Sequence, residues 1–229
     1  MIPRHFDDLP EALRKEPVRP YFEALNRRRL SLSLKRVFDV VVSLVLIVLF
    51  SPLMIVIAAA VKLSSEGPVF YRQKRITAFE REFRIFKFRS MVSNADKIGP
   101  LVTTGDDPRI TAVGHFIRKT HIDEIPQLFN VLAGDMSFVG TRPEVRKYVD
   151  FYTDEMRATL LLPAGITSEA SIRFRDEAEQ IPEGMDADEV YVNSILPQKM
   201  EVNLEYLRTF SLIKDIRILF DTFLLFFRR

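Results

Sequence analysis

Residues 40–61 read VVVSLVLIVLFSPLMIVIAAAV, a run interrupted only by Ser43, Ser51 and Pro52. At about 1.5 Å per residue, such a stretch is long enough to cross roughly 30 Å of hydrocarbon. Ser51-Pro52 stands at its centre. Proline there removes an N–H, leaves the carbonyl of Val48 without its helical donor and forces a kink. Each arm is then about eleven residues, roughly 16 Å, the depth of one leaflet. Cations lie on both sides: Arg27, Arg28, Arg29, Lys35 and Arg36 before the run, and Lys62, Arg72, Lys74 and Arg75 after it. The positive-inside rule therefore picks neither end for the far side. The run predicts a helix–break–helix hairpin that enters one leaflet and returns, against the alternative of a straight transmembrane helix. A cleavable signal peptide is not expected, because a polar leader precedes the run and no small-residue cleavage site follows it.

The rest of the composition narrows the classes. With 229 residues the chain fits one ordinary domain plus an anchor. Lys and Arg total 33 against 31 Asp and Glu, a formal charge of +2. No overall field draws nucleic acid, so any cationic function must be local. The absence of cysteine excludes a disulfide framework and thiolate metal sites, and three His, at 5, 115 and 121, argue against a zinc centre. Nineteen Phe and no Trp suggest contact with hydrocarbon or a Phe-rich core.

Working outward, four regions are expected. Residues 1–34 are polar and proline-punctuated, an arm or surface helix with an amphipathic patch at Tyr21, Phe22 and Leu25. Residues 35–63 are the re-entrant segment, 64–200 a cytoplasmic catalytic domain, and 201–229 a C-terminal amphipathic helix rich in Leu, Ile and Phe that lies on the bilayer. Glu66-Gly67-Pro68 is a turn signal before a strand beginning near Val69. Residues 82–89, EFRIFKFR, alternate like a strand, but the apolar register slips at Ile85-Phe86. Either a bulge corrects the slip, or Lys87 and Arg89 share the face of Phe83 and Ile85. Ala112–Lys119 and the stretch from Asp123 to a stop at Gly134 have helical spacing, and Met136–Val139 is a short strand. Thr141-Arg142-Pro143-Glu144 has a capping-box pattern and predicts a helix running towards Leu162.

The densest chemical signal is residues 115–144, HFIRKTHIDEIPQLFNVLAGDMSFVGTRPE. Asp123 and Glu124, at the start of a predicted helix, face free N–H groups that favour ionised carboxylates, which can act as nucleophile or metal ligand. Plain helix capping explains the same pair. Arg142, read as the first turn of the next helix, suits phosphate oxygens, and Lys87, Arg89, Arg109 and Arg118 are further candidate cations. Carboxylates among cations suit phosphoryl transfer, where charge is neutralised while a nucleophile is presented.

Seven motifs in order carry a resemblance: KRVFD (35–39), the run broken at Ser51-Pro52, FKFRSM (86–91), DPRIT (107–111), DEIPQLFNVL (123–132), GDMSFVG (134–140) and RPE (142–144). Together they resemble the bacterial sugar transferases known as monotopic phosphoglycosyl transferases, over about residues 35–165. The resemblance implies an α/β (α+β) fold: a small mixed globular domain with a re-entrant, proline-broken membrane hairpin and amphipathic interfacial helices. It implies a UDP-sugar donor, a polyprenyl (undecaprenyl) phosphate acceptor, and Mg²⁺. Asp123 would attack the donor's sugar-linked phosphorus, release UMP and hold a covalent phosphosugar that the acceptor then takes. Glu124 would be its partner, as Mg²⁺ ligand with Asp123 or as base, and Arg118 and Arg142 would hold phosphate. His121 and Thr141 depart from the common Ser and Pro of the family. PAGITS (163–168) departs from its Pro-Gly-Ile-Thr-Gly segment, where Arg173 and Arg175 are the candidates for nucleotide and sugar contacts.

The resemblance places the protein at the cytoplasmic face of a bacterial inner membrane, in the first membrane step of a glycan or glycoconjugate pathway. The lipid bilayer is an expected partner, nucleic acid is not, and a homodimer is an open option. Two rivals from other classes are a membrane-tethered phosphatase or hydrolase using Asp123 against water, and a non-enzymatic membrane scaffold.

Overall fold

The N-terminal residues, expected as a polar arm or surface helix, form short turns and a helix whose apolar side chains pack into the core. In the computed structural model, which describes residues 2–95, 107–175 and 186–227, the first residues form short 3₁₀ turns (Phe6–Asp8, Glu11–Leu13, Glu16–Val18) that lead into helix α1 (Arg19–Asn26). Prolines keep these turns short, and each presents one apolar residue inward: Phe6, Leu13 and Val18 are buried, as are Tyr21, Phe22 and Leu25 of α1. Burying a side chain of this size contributes about 1.5–3 kcal/mol, so the segment is held firmly despite its polar composition.

Helix α2 (Arg29–Ser64) follows and contains Pro52. It is the one helix among the described residues that is long and apolar enough to cross a membrane, with a mean hydropathy of 3.1 in its most apolar window. Only 17% of that window is buried, which is the reverse of a core helix. Val45, Val48, Leu49, Ile55 and Val56 all stand exposed. At the proline, the Ser51 hydroxyl donates to the Val48 carbonyl at 2.8 Å, replacing the donor that Pro52 lacks.

Strands β1 (Phe70–Ile76) and β2 (Glu82–Phe88) form an antiparallel hairpin in continuous register from Phe70 opposite Phe88 to Ile76 opposite Glu82. No bulge corrects the slip at Ile85-Phe86; Lys87 shares the face of Phe83 and Ile85. Helix α3 (Ala112–Lys119) is capped by the Thr111 hydroxyl, which accepts from Gly114 N at 2.9 Å. Helix α4 (Gln127–Ala133) stops at Gly134, whose φ of 86° is the left-handed cap the sequence signalled. Strand β3 (Met136–Val139) pairs in parallel with β4 (Ala164–Thr167); a Cβ on Gly165 would lie 2.2 Å from the Gly140 backbone, so only glycine permits this approach.

The helix predicted from Thr141 to Leu162 is absent. Residues 141–145 have no regular secondary structure, α5 (Arg146–Val149) is one turn, and a 3₁₀ segment (Met156–Leu161) completes the connection. The reason is that Glu144 bonds to distant partners rather than back to Thr141, as described below. Short helix α6 (Glu169–Arg173) is followed, beyond undescribed residues, by α7 (Ala187–Val190), a π turn (Tyr191–Ile195), α8 (Leu196–Arg208) and α9 (Leu212–Phe227). The C-terminal run is thus two helices. Helix α8 is a core helix with Met200, Leu204 and Leu207 buried, while α9 exposes Ile213, Ile216, Phe220 and Phe223.

The large core joins the N-terminal turns, α1, β3, β4 and α8; a smaller cluster packs Met54, Ile57 and Val61 of α2 against Phe88 and Ile117.

Candidate active site

Asp123 and Glu124 lie in a 3₁₀ turn, Ile122–Glu124, one step before α4 rather than in its first turn. Pro126 separates the two elements, and the turn closes through His121 N to Arg118 O at 3.1 Å and Glu124 N to His121 O at 3.2 Å. His121, immediately before it, has φ 54°, a left-handed conformation unusual for a non-glycine residue and most often kept where a site requires it. Asp123 is buried, and Glu124 is half-buried.

The hairpin supplies the first cation. Lys87 Nζ lies 2.5 Å from Glu124 Oε1, with both side chains 22% exposed. The register slip seen in the sequence is therefore a cation turned inward onto a carboxylate. Asn130 fixes this arrangement: its side chain accepts from Phe86 N at 2.9 Å and donates to Arg84 O at 3.0 Å, tying α4 to the edge of β2. Arg142 supplies the second cation, 3.9 Å from the same Glu124 oxygen.

Arg142 does not sit at a helix N-terminus. Its segment is pinned by Ile76 N to Glu144 O at 2.9 Å, by Arg75 Nη1 to Pro143 O at 3.0 Å, and by Gly165 N to Thr141 O at 2.9 Å. The Glu144 carboxylate accepts from Tyr191 OH at 2.5 Å and stands 4.0 Å from Arg75, and Lys199 Nζ donates to Tyr191 OH at 3.1 Å. Sequence reasoning gave no role at the site to Arg75 or Tyr191, and read Glu144 as a helix cap. The Arg-Pro-Glu motif was the one available signal, and it reads equally well as a cap.

The electrostatics separate the two carboxyls. Burial pushes Asp123 up from its ordinary value and the charge of Glu124 pushes it further, while Lys87, His121 and Arg118 pull it back. Burial also pushes Glu124 up, but Lys87 and Arg142 outweigh it and hold the carboxyl at about 2. Glu124 is thus a fixed, neutralised anion, and Asp123 is the carboxylate whose charge is not matched by an ion pair of its own. Such a group is suited to bond formation or to holding a cation.

The remaining candidates divide. Arg118 lies close enough to Asp123 to lower its pKa, and its guanidinium makes no hydrogen bond or ion pair among the described residues. Arg89 is buried, donating to Glu66 O at 2.8 Å and Ser65 O at 2.7 Å at the C-terminal end of α2, so it is a joint between β2 and α2. Arg109 pairs with Asp107 at 2.5 Å and donates to Ala95 O at 2.8 Å; its hydrogen bonds lower Asp107 to about 2. Arg173 pairs with Glu169 on α6, and Glu169 in turn lies 3.2 Å from Lys214 of α9. Arg175 is exposed at the end of that segment. The structure therefore brings Lys87, Arg118 and Arg142 to the carboxylate pair, and gives Arg89, Arg109 and Arg173 other partners.

A family profile described as bacterial sugar transferase matches residues 30–229. The chain belongs to that family. Among curated relatives of this family, a UDP-N-acetylgalactosamine-undecaprenyl-phosphate N-acetylgalactosaminephosphotransferase of Aeromonas hydrophila is 40% identical over 82% of this chain and 42% of its own. A UDP-glucose:undecaprenyl-phosphate glucose-1-phosphate transferase of Klebsiella pneumoniae is 36% identical over 93% of this chain and 44% of its own. One bearing the same name in Caulobacter vibrioides is 37% identical over 82% and 67% respectively. The chain spans about two fifths of the length of the first two of these sugar transferases.

Proposed function

We propose that this protein transfers a sugar-1-phosphate from a UDP-sugar to undecaprenyl phosphate through a covalent aspartyl intermediate. The observation that carries the reading is Asp123, buried beside a Glu124 already neutralised by Lys87 and Arg142. In the first step an Asp123 carboxylate oxygen attacks the sugar-linked phosphorus, the bond from that phosphorus to the bridging oxygen breaks, and UMP leaves. In the second, a phosphate oxygen of the acceptor attacks the same phosphorus, giving polyprenyl-diphosphate sugar and restoring the carboxylate. Arg118 and Arg142 balance charge on the phosphoryl oxygens.

Asp123, with Glu124 beside it, would hold Mg²⁺. Burial without a matching ion pair makes Asp123 receptive to a cation. Among the described residues there is no cluster of three or more metal-ligating side chains, so Asp123 and the donor's phosphates would supply most of the ligands, with Glu124, already paired to Lys87 and Arg142, a secondary one. When bound, it supplies charge neutralisation for the diphosphate.

The proposed setting is the cytoplasmic face of the inner membrane, with α2 as a re-entrant hairpin broken at Pro52. Supporting this are the exposed apolar surfaces of α2 and α9, the Ser51 bond to Val48 O, and contacts of both ends of α2 with the same domain, through Arg36 and Arg89. Because the chain has no cysteine, single cysteines at Arg27 and Arg84 report sidedness cleanly. Both are expected to react from one side only; reaction from opposite sides means the helix crosses.

The reaction is tested by exchange of labelled UMP into UDP-sugar without acceptor, which the covalent transferase catalyses and a hydrolase does not. Asp123→Ala is expected to abolish exchange and product. Product formation by that variant overturns Asp123 as the nucleophile, and absence of both exchange and product with wild type favours a scaffold role for this chain.

A further inference from the structure

The KRVFD segment places three polar side chains on the N-terminal part of α2, Lys35 and Asp39 buried and Arg36 partly so, none of which the transfer chemistry uses. Each leaves the helix for a different element. Lys35 Nζ meets Asp215 Oδ2 of α9 at 2.6 Å, and the other oxygen of Asp215 accepts from Tyr206 OH of α8 at 2.6 Å. Arg36 donates through Nη1 to Val131 O at 2.6 Å and through Nη2 to Leu132 O at 2.8 Å, the last carbonyls of α4. Asp39 Oδ1 accepts from Phe138 N of β3 at 3.2 Å. Lys35, Asp39 and Asp215 are all nearly inaccessible to solvent.

Two of these elements lead straight to the site. The turn bearing Asp123 and Glu124 runs into α4, and β3 runs through Gly140 and Thr141 to Arg142. Arg36 therefore holds the nucleophile's helix by its far end, about 12 Å from Asp123 along the helix. Asp39 holds the strand that presents Arg142. A guanidinium suits the first task because its fork reaches two carbonyls at once at the negative end of a helix dipole, that of Leu132 and that of Val131, which also accepts from Gly134 N at 3.1 Å; a single ammonium is a point charge without that fork.

The geometry points to Arg36 as a positioning residue: from within the membrane helix it sets where Asp123 stands relative to Arg142, with Asp39 fixing the other half of the site. This rests on the transferase reading above. A displacement of about 1 Å at a reacting atom can cost roughly a hundredfold in rate, so the bonds act on turnover rather than on donor affinity.

The test uses the full chain in lipid nanodiscs, comparing wild type with Arg36→Met, Arg36→Lys and Arg27→Met. Arg27 is exposed, nine residues before Arg36 and ahead of α2, and its replacement removes the same charge without touching α4. UMP release with undecaprenyl phosphate present as acceptor gives kcat and KM for the donor, and thermal unfolding reports the fold. Arg36→Met is expected to lower kcat about 10–100-fold with KM within about threefold. Arg36→Lys should recover part of the loss, and Arg27→Met should match wild type. Should Arg36→Met fail to fold, Arg36→Lys carries the test, with kcat down severalfold at an unchanged melting temperature. Wild-type kcat in a folded Arg36 variant, or equal losses in the Arg27 and Arg36 variants, overturns the inference. If wild type itself releases no UMP from any UDP-sugar, the transferase reading fails instead.

Discussion

Replacing Lys87 by Met removes the nearest cation from Glu124 while keeping the apolar stem. Glu124 sits at about 2 against an ordinary 4.5, a depression worth about 3 kcal/mol at neutral pH, shared between Lys87 at 2.5 Å and Arg142 at 3.9 Å. Lys87 is the closer and the stronger of the two. Removing one partner of a buried pair costs about 3–5 kcal/mol, and here partial exposure and the remaining arginine reduce this to about 2–3 kcal/mol. For a chain of this size that lowers the melting temperature by roughly 5–10 °C in detergent at pH 7. The sign with pH follows from the depressed carboxyl: its stabilisation is complete above its unfolded pKa and is lost as pH falls through about 2. The gap between wild type and Lys87→Met should therefore narrow steadily as the solution is acidified below about 4.5. Adding Glu124→Gln should restore part of the stability, because no buried charge is then left alone. A Lys87→Met protein that melts within 1 °C of wild type, or a gap that widens in acid, refutes the pairing as the basis of Glu124's charge.

Arg118→Met withdraws a cation from Asp123, so the Asp123 pKa, already raised by burial, rises further; the acid limb of kcat/KM for UMP release should move to higher pH, and an unmoved limb assigns that limb elsewhere. Tyr191→Phe deprives the buried Glu144 of its shortest hydrogen bond and should cost about 1–2 kcal/mol, read as a lower melting temperature, with kcat falling as the Arg142 segment loosens. For the re-entrant hairpin proposed above, Pro52→Leu, which restores the missing amide donor to Val48, should remove the break, seen as altered sidedness of a cysteine at Arg84 while one at Arg27 stays unchanged.

Local signals in the sequence were enough for the elements that depend on them. The apolar run defined α2, Gly134 ended α4, and the 112–119 spacing set α3, because each is fixed by nearest neighbours along the chain. The carboxylate pair and its cations were legible as residue types in order. Tertiary structure alone decided which cations meet the pair: Lys87 and Arg142 converge on Glu124, whereas Arg89 is drawn to the carbonyls closing α2 and Arg109 to Asp107. It also decided that Glu144 bonds Tyr191 and Arg75 instead of capping a helix, and that the N-terminal turns enter the core. Hydrogen bonds and ion pairs between residues many tens of positions apart leave no periodic trace in the sequence, since their partners are chosen only when packing brings the elements together.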